Sequence, residues 1–353
     1  MIYKYLFFVL VFLTSSQIIS QEDFFEPSTT VGGYGELHFN RATKNDNSTN
    51  KLDFHRFVLF YGHQWTEKWS FKSEVELEHN FVSGDNGELE LEQAYIDYHH
   101  ATWFGFQAGV ILPSIGLLNE YHEPPLFFGV ERPTYAKYIV PTTWFGNGIA
   151  FYGQHSNFDY RLTIMEGLNA EKISQGKGIR SARIKGFKPK ADQFLYNLRL
   201  NYLGINGLKV GTSLSFTNAM GDSINNSVTL IEVHIKYVYN QLHLVGEFGN
   251  IGYGEGELKS SRGYYVDLGY NFGKLLKTTT KVIPFIRYTN YNTAASTLQG
   301  GDSEKKYNKT KWMLGFVVLP ISEVVFKFDY SELEVELSKI KTKHLNFGVG
   351  YMF

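Results

Sequence analysis

From Thr30 to Phe353 the chain alternates apolar and polar residues with a period of two, and no helical period of about 3.6 is sustained. The last segment shows this most cleanly. Leu345, Phe347, Val349, Tyr351 and Phe353 form one row, and His344, Asn346, Gly348, Gly350 and Met352 form the other. Over 322–330, Val324, Phe326, Phe328 and Tyr330 stand opposite Glu323, Val325, Lys327 and Asp329; over 68–80, Trp69, Phe71, Val75 and Leu77 stand opposite Lys68, Ser70, Lys72, Glu74, Glu76, Glu78 and Asn80. The pattern predicts strands with one greasy face and one charged face.

A soluble sandwich also alternates, but its outer row seldom stays this aromatic over so many strands. Charge on one row with Phe, Tyr, Leu and Val on the other is what a transmembrane barrel requires, because the apolar row faces lipid and the polar row a wet interior. Seventeen strand candidates centre near residues 35, 57, 73, 92, 107, 151, 162, 182, 198, 212, 233, 245, 267, 285, 315, 326 and 348. An odd count conflicts with a bacterial barrel whose termini share one side. Connection lengths resolve the conflict. Short turns are predicted at 64–68, 100–103, 154–157, 204–207, Asn240, 272–281 and 319–322, and long loops at 41–51, 82–87, 112–147, 218–227, 251–262, 291–310 and 332–342. The two series interleave only if 178–188 belongs to an extended outward loop rather than a spanning strand. The expected fold is therefore all-β: a transmembrane antiparallel barrel of about 16 strands with a long inward-folded loop after strand 5. About 330 residues shared among these strands leave room for spans of about 9 to 11 residues each.

The first residues change the picture by adding export. Lys4 and the apolar run Tyr5–Leu13, turning polar at Thr14, read as a signal peptide over 1–20, cleaved after Ser20, with the barrel domain over 21–353. The run is too short to span a bilayer as a helix, and no later run approaches eighteen apolar residues. Zero Cys excludes a disulfide scaffold and thiol chemistry. Removing 1–20 takes away Lys4 and leaves 33 basic residues against 35 acidic ones, a balance that argues against a nucleic-acid surface. Trp65, Trp69 and Trp103 near short turns, and Trp144 near the longest loop, are placed for an interfacial girdle.

The longest connection, 112–147, holds Pro113, Pro124, Pro125, Pro133 and Pro141 and the apolar Ile115, Leu117, Leu118, Leu126, Phe127, Phe128 and Val130. So greasy a loop is expected to fold against the inner wall and narrow the lumen. It would present Glu120, His122, Glu123, Glu131, Arg132 and Lys137, and the wall would add Arg161, Arg199 and Arg287 among many opposed carboxylates. The expected pore-lining set is Glu120, His122, Glu131, Arg132, Lys137, Arg161, Arg199 and Arg287. Glu120, His122 and Glu123 have no metal-ligand spacing, so no metal is expected there. A second loop carries Lys172, Lys177, Arg180, Arg183, Lys185, Lys188 and Lys190; Lys177, Arg180, Arg183 and Lys185 read as a basic cluster at the outer mouth, able to focus anions or to contact lipopolysaccharide.

Several segments, in order, resemble the Bacteroidetes outer-membrane porins grouped with the phosphate-selective porin O and P family: Val31-Gly-Gly-Tyr-Gly-Glu-Leu-His-Phe39, Leu52–Gly62, Leu91-Glu-Gln-Ala-Tyr-Ile-Asp-Tyr98, Phe106-Gln-Ala-Gly-Val-Ile-Leu-Pro113, Asn147-Gly-Ile-Ala-Phe-Tyr-Gly153, Asn201–Ser215 and Pro284-Phe-Ile-Arg-Tyr288. The similarity spans the chain downstream of the signal. It implies a Gram-negative outer-membrane location, a sixteen-stranded general or anion-preferring porin, a homotrimer, a lumenal third loop, and a terminal Phe353 of the kind that barrel-assembly machinery recognises. Phosphate-selective members carry an arginine-rich constriction and a lysine ladder, whereas this loop offers Arg132 and Lys137 among several glutamates.

The expected function is a water-filled channel passing small hydrophilic solutes, anions such as phosphate among the candidates. A narrow binding or structural barrel, or a transporter of hydrophobic substrates, is the alternative. No Gly-x-Ser-x-Gly elbow or His-Glu-x-x-His motif occurs, so neither an enzyme nor a cofactor is expected.

Overall fold

The structure is a computed structural model and describes residues 25–84, 86–189 and 191–353. The predicted signal peptide and its cleavage point lie outside the described residues.

Sixteen strands close into one antiparallel barrel in which each is bonded to its sequence neighbours and the first to the last. They are β1 (Ser28–Lys44), β2 (Asn47–Gln64), β3 (Trp69–Glu78), β4 (Leu89–Ala101), β5 (Phe104–Ile111), β6 (Gly146–His155), β7 (Phe158–Glu166), β8 (Phe194–Ile205), β9 (Leu208–Met220), β10 (Asn225–Tyr239), β11 (Leu242–Tyr253), β12 (Leu258–Tyr270), β13 (Lys281–Thr297), β14 (Asn308–Ile321), β15 (Val324–Val335) and β16 (Lys341–Met352). The seam runs from Tyr34↔Met352 to Lys44↔Thr342, and Gly33 and Phe353 exchange both backbone hydrogen bonds at 3.0 Å. Closure removes the unpaired edges that an open sheet would expose to lipid. No helix among the described residues is long and apolar enough to cross a membrane.

Polarity is inverted as the rows predict. Glu74 and Glu76 are buried in the interior while Val75 between them is 37% exposed, and Phe326, Phe347 and Leu314 likewise face outward. Trp65, Trp69 and Trp103 are exposed beside the short turns. Trp144 is not in a girdle: it is 2% exposed inside the barrel, tied to Asn119 through its own backbone. Segment 178–188 holds no spanning strand.

Five long loops are shorter than predicted because the ladder continues through them. β1 and β2 pair as far as Lys44↔Asn47, leaving Asn45 and Asp46, both at positive φ (47° and 62°), as a two-residue hairpin turn. The 218–227, 251–262, 291–310 and 332–342 segments shrink in the same way to 221–224, 254–257, 298–307 and 336–340. Beyond the hydrocarbon both rows of a strand are polar, so alternation fades while backbone pairing persists.

Two irregularities position the interior chemistry. Between β3 and β4 the register steps from Glu74↔Gln93 to Val75↔Leu91, which leaves Glu92 as the extra residue of a bulge; between β1 and β2 it steps from Glu36↔Arg56 to Leu37↔Phe54, with His55 extra. A bulge rephases the side chains of its strand. Glu90 and Glu92 on one side of the step, and Tyr95 and Asp97 on the other, therefore share the inner face.

Candidate functional site

The site is built from two segments that enter the barrel at its long-loop end. Residues 112–145, between β5 and β6, include the short helix α1 (Tyr135–Tyr138). Inside the segment, Asn119 holds the fold: its Nδ2 donates to the Pro113 and Trp144 carbonyls at 2.8 and 3.1 Å, and its Oδ1 accepts from the Trp144 amide at 2.9 Å. Wall carboxylates satisfy the backbone that would otherwise be stranded in the interior. Glu247 Oε2 accepts from the Leu117 amide at 3.1 Å, Asp329 Oδ2 accepts from the Val130 amide at 2.8 Å, and Lys327 Nζ donates to the Gly129 carbonyl at 2.9 Å while lying 3.6 Å from the Phe127 ring centroid.

The second inserted segment, 167–193, is a correction to the outward loop predicted there. It folds in against the first. Ile179 and Ala182 are fully buried in one apolar cluster with Ile115, Leu118, Tyr135, Ile139, Val140 and Trp144, and with Met165, Leu195, Leu230, Ile251 and Tyr253 of the wall. Burying Ile or Leu side chains contributes about 1.5–3 kcal/mol each, which explains why both loops leave water. Arg183 is not at the mouth surface; its Nη1 donates to the carbonyls of Thr142 and Thr143 at 2.8 and 2.9 Å, binding one loop to the other. Arg180 donates to the Lys137 carbonyl at 3.5 Å. Of Lys177, Arg180, Arg183 and Lys185, predicted at the outer mouth, only Lys177 stays exposed; in the same loop Lys172 and Lys188 are exposed and Lys190 lies outside the described residues.

Together the two segments fill the β7–β13 side of the lumen and leave an off-centre vestibule of about 1450 Å³ against β1–β4. Its walls differ in charge balance. The barrel side contributes Glu36, Asp53, Glu76, Glu78, Glu88 and Glu90 against Lys51, Arg56 and Lys311, whereas the inserted segments contribute Arg132, Lys137, Lys172, Arg180, Arg183 and Lys185 against Glu131. Lys185 closes the gap between the two sides, reaching Glu88 Oε2 at 3.0 Å and also Glu90. Burial alone would lower the Lys185 pKa, but the hydrogen bond and charge of Glu90 raise it above the ordinary lysine value. At the vestibule floor, Arg56 pairs with Glu36 at 2.7 Å and Glu76 at 3.3 Å, and His38 joins Glu36 to Glu131 at 3.2 and 3.1 Å.

The predicted pore-lining residues divide. Glu131, Arg132 and Lys137 line the vestibule. Glu120, Arg161 and Arg199 are brought together below it instead: Arg199 donates to Glu120 and, at 3.0 Å, to Asp159, and Arg161 lies 3.8 Å from Glu120 and donates to Gln107 at 2.6 Å. Burial raises the Glu120 pKa, but Arg199 and Arg161 outweigh it and hold the carboxyl below its usual value. Arg287 is 2% exposed and closed into a bidentate pair with Asp267 at 2.5 and 2.7 Å, so it braces the wall and does not reach the vestibule. His122 is also buried; its Nδ1–H donates to the Asn119 carbonyl at 3.0 Å and its Nε2 faces Glu92 Oε2 at 3.4 Å and Glu74 Oε1 at 3.6 Å.

Three sets of side chains among the described residues stand close enough to hold a cation: His38, His55 and Glu131; Asp53, His55 and His79; and Glu74, Glu92 and His122. None follows a local spacing, since each joins strands or a strand and an inserted loop. The histidines of these sets carry no sequence motif: His38 and His55 stack at 4.9 Å and His55 meets His79 edge-on at 5.4 Å.

No family model matches the sequence. Among solved structures, the barrel is similar to the anion-selective porin from Comamonas acidovorans (TM-score 0.62, 13% identity, 93% of this chain and 100% of that one). It is also similar to OmpF of Salmonella typhi (0.63, 11%, 92% and 97%) and to the outer-membrane channel DcaP of Acinetobacter baumannii (0.59, 10%, 93% and 98%). The fold is that of outer-membrane porins. In sequence the chain is 32% identical over 326 residues to an uncharacterised protein of Aquifex aeolicus (strain VF5), with 85% of this chain and 74% of that protein aligned, and it belongs to the family of that Aquifex protein.

Proposed function

We propose that the protein is an outer-membrane porin that passes small polar and charged solutes by diffusion through the eccentric vestibule. The observation carrying this reading is the polarity of that space: carboxylates outnumber cations on the barrel side and lysines and arginines outnumber carboxylates on the inserted side, within a closed barrel whose exterior is apolar. Such an arrangement sets up a field across the path. It orients a dipolar or zwitterionic solute and offers an ion of either sign a wall to follow. The mixture supports a channel for charged and dipolar solutes more than a dedicated anion ladder, and phosphate would be one anion among others. The motifs quoted above support a relationship to the phosphate-selective porin O and P proteins, and the porin fold supports a Gram-negative outer membrane as its home.

Single-channel recording tests the proposal. Purified, folded protein added to a planar bilayer should give discrete ohmic conductance steps, and their absence would sink the porin reading in favour of a closed binding or structural barrel. The apolar cluster filling part of the lumen is the feature that favours this second reading.

A further inference from the structure

We infer that Glu74, Glu92 and His122 form a structural site for a divalent transition ion of the zinc class, which staples the inserted 112–145 segment to the barrel wall. Glu74 is on β3, Glu92 is the bulged residue of β4, and His122 is on the inserted segment, so one ion there would join three separate parts of the chain.

The ligand atoms are arranged for a metal rather than for one another. His122 Nε2 is 3.4 Å from Glu92 Oε2 and 3.6 Å from Glu74 Oε1. A charge-assisted N–H···O bond would close to about 2.7–2.9 Å. Ligands about 2.0–2.2 Å from a tetrahedral centre, by contrast, stand about 3.3–3.6 Å apart. All three side chains are at least nine-tenths buried, and Glu74 Oε1, both oxygens of Glu92 and His122 Nε2 lack a hydrogen-bond partner. Orphaned carboxylate oxygens in a dry interior are costly unless something positive meets them.

Outer contacts already orient the ligands. The Asn119 carbonyl accepts a hydrogen bond from His122 Nδ1–H, which leaves the Nε2 lone pair to ligate, and Gln93, next to the bulged Glu92, donates to the second oxygen of Glu74. One imidazole and two carboxylates suit zinc or a similar ion, and two carboxylates neutralise its charge. Arg132, whose Nη2 donates to the His122 carbonyl at 3.2 Å, opposes cation binding and weakens it. The other two clusters are poorer candidates because their imidazoles are taken: His55 and His79 bond Asp53 at 3.1 and 2.9 Å, and His38 bonds Glu131 at 3.1 Å.

The test does not depend on the channel reading. Folded protein in detergent, incubated with zinc and freed of excess, should retain about one ion per chain by elemental analysis, and cobalt in its place should give the intense visible absorption of a tetrahedral site. Glu92→Gln and His122→Gln each remove a ligand and should lose the retained zinc while keeping heat-modifiable migration, and His79→Ala should leave retention unchanged. With the metal bound, exchange of the 113–126 amides should slow, and chelation should reverse this. No retained ion in folded protein, or zinc lost in His79→Ala but kept in both 122 and 92 variants, overturns the assignment.

Discussion

Removing the Glu120 carboxylate should release the 112–145 segment without unfolding the barrel. Glu120 is a single acceptor set against two guanidiniums, with side chains 10% (Arg199) and 11% (Arg161) exposed. In Glu120→Ala the two cations stay in a largely dry place with only Asp159 and Gln107 as partners. Breaking one side of a buried ion pair costs about 3–5 kcal/mol, and the surviving partners put this case at the lower end. At 1.36 kcal/mol per factor of ten, about 3 kcal/mol corresponds to a roughly 150-fold rise in the undocked population. Hydrogen exchange followed by mass spectrometry reads that population at the Trp144 amide, which donates to Asn119 beside Glu120, and over peptides covering 113–126. Protection there should fall by about two orders of magnitude while β-strand peptides keep theirs, and single-channel traces should become noisier. The double variant Glu120→Ala/Arg199→Ala should recover part of the loss, because it removes one of the stranded charges. Unchanged protection in the single variant, or a double variant as costly as the sum of both, would refute docking through this triad.

Four further substitutions have defined outcomes. Lys185→Glu places two more negative charge units beside Glu88 and Glu90, and the reversal potential in a salt gradient should move toward cations by an equivalent several-fold change in permeability ratio at low salt, less at high salt. Asp267→Asn leaves Arg287 buried without its carboxylate and should lower unfolding stability in detergent by about 3–5 kcal/mol, seen as an earlier guanidinium midpoint. Gly116 has φ +67° and a Cβ there would come within 2.4 Å of Glu247 Oε2, so Gly116→Ala should strain the turn by about 1–2 kcal/mol and free the Leu117 amide to exchange. Asp46→Val at the positive-φ hairpin tip should cost a similar amount, measured by the same unfolding curve, while Asp46→Gly should be tolerated.

The barrel was readable in the chain because lipid and water impose opposite demands on adjacent residues, which leaves a period-two signature in every span. Parity then decided between seventeen and sixteen, and the structure places 178–188 outside the wall as that count requires. Strand ends were not readable, since Arg41–Lys44 and Asn47–Lys51 remain paired where no lipid enforces alternation. The bulges were hidden for a different reason: a one-residue step beside Glu92 or His55 changes no composition, only which residues share a face. For that reason Glu74, Glu92 and His122 gave no motif. Their meeting depends on a register shift and on where an irregular loop docks. Trp144 was misplaced because an aromatic near a strand end reads the same whether it faces lipid or the lumen.

One available signal would have exposed the second inserted segment. Along β10 the inner row begins Asn226, Val228 and Leu230 before turning to Glu232 and His234, and on β11 it runs from Glu247 to Ile251 and Tyr253. An inner row that is polar at the short-turn end and apolar at the long-loop end cannot face an open aqueous lumen along its whole length without losing the burial that those side chains obtain. Something greasy must cover it. The chain supplies Ile179 and Ala182 from 167–193 and Ile139, Val140 and Trp144 from 112–145. If the barrel conducts as proposed, the same reasoning says where solute would go: β1–β3 keep Glu36, Asp53, Arg56 and Glu76 on their inner faces, a wholly apolar cover there would strand those charges, and the vestibule forms on that side. On the porin reading the sixteen strands therefore overstate the passage, and the conductance should be set by the polar sector alone.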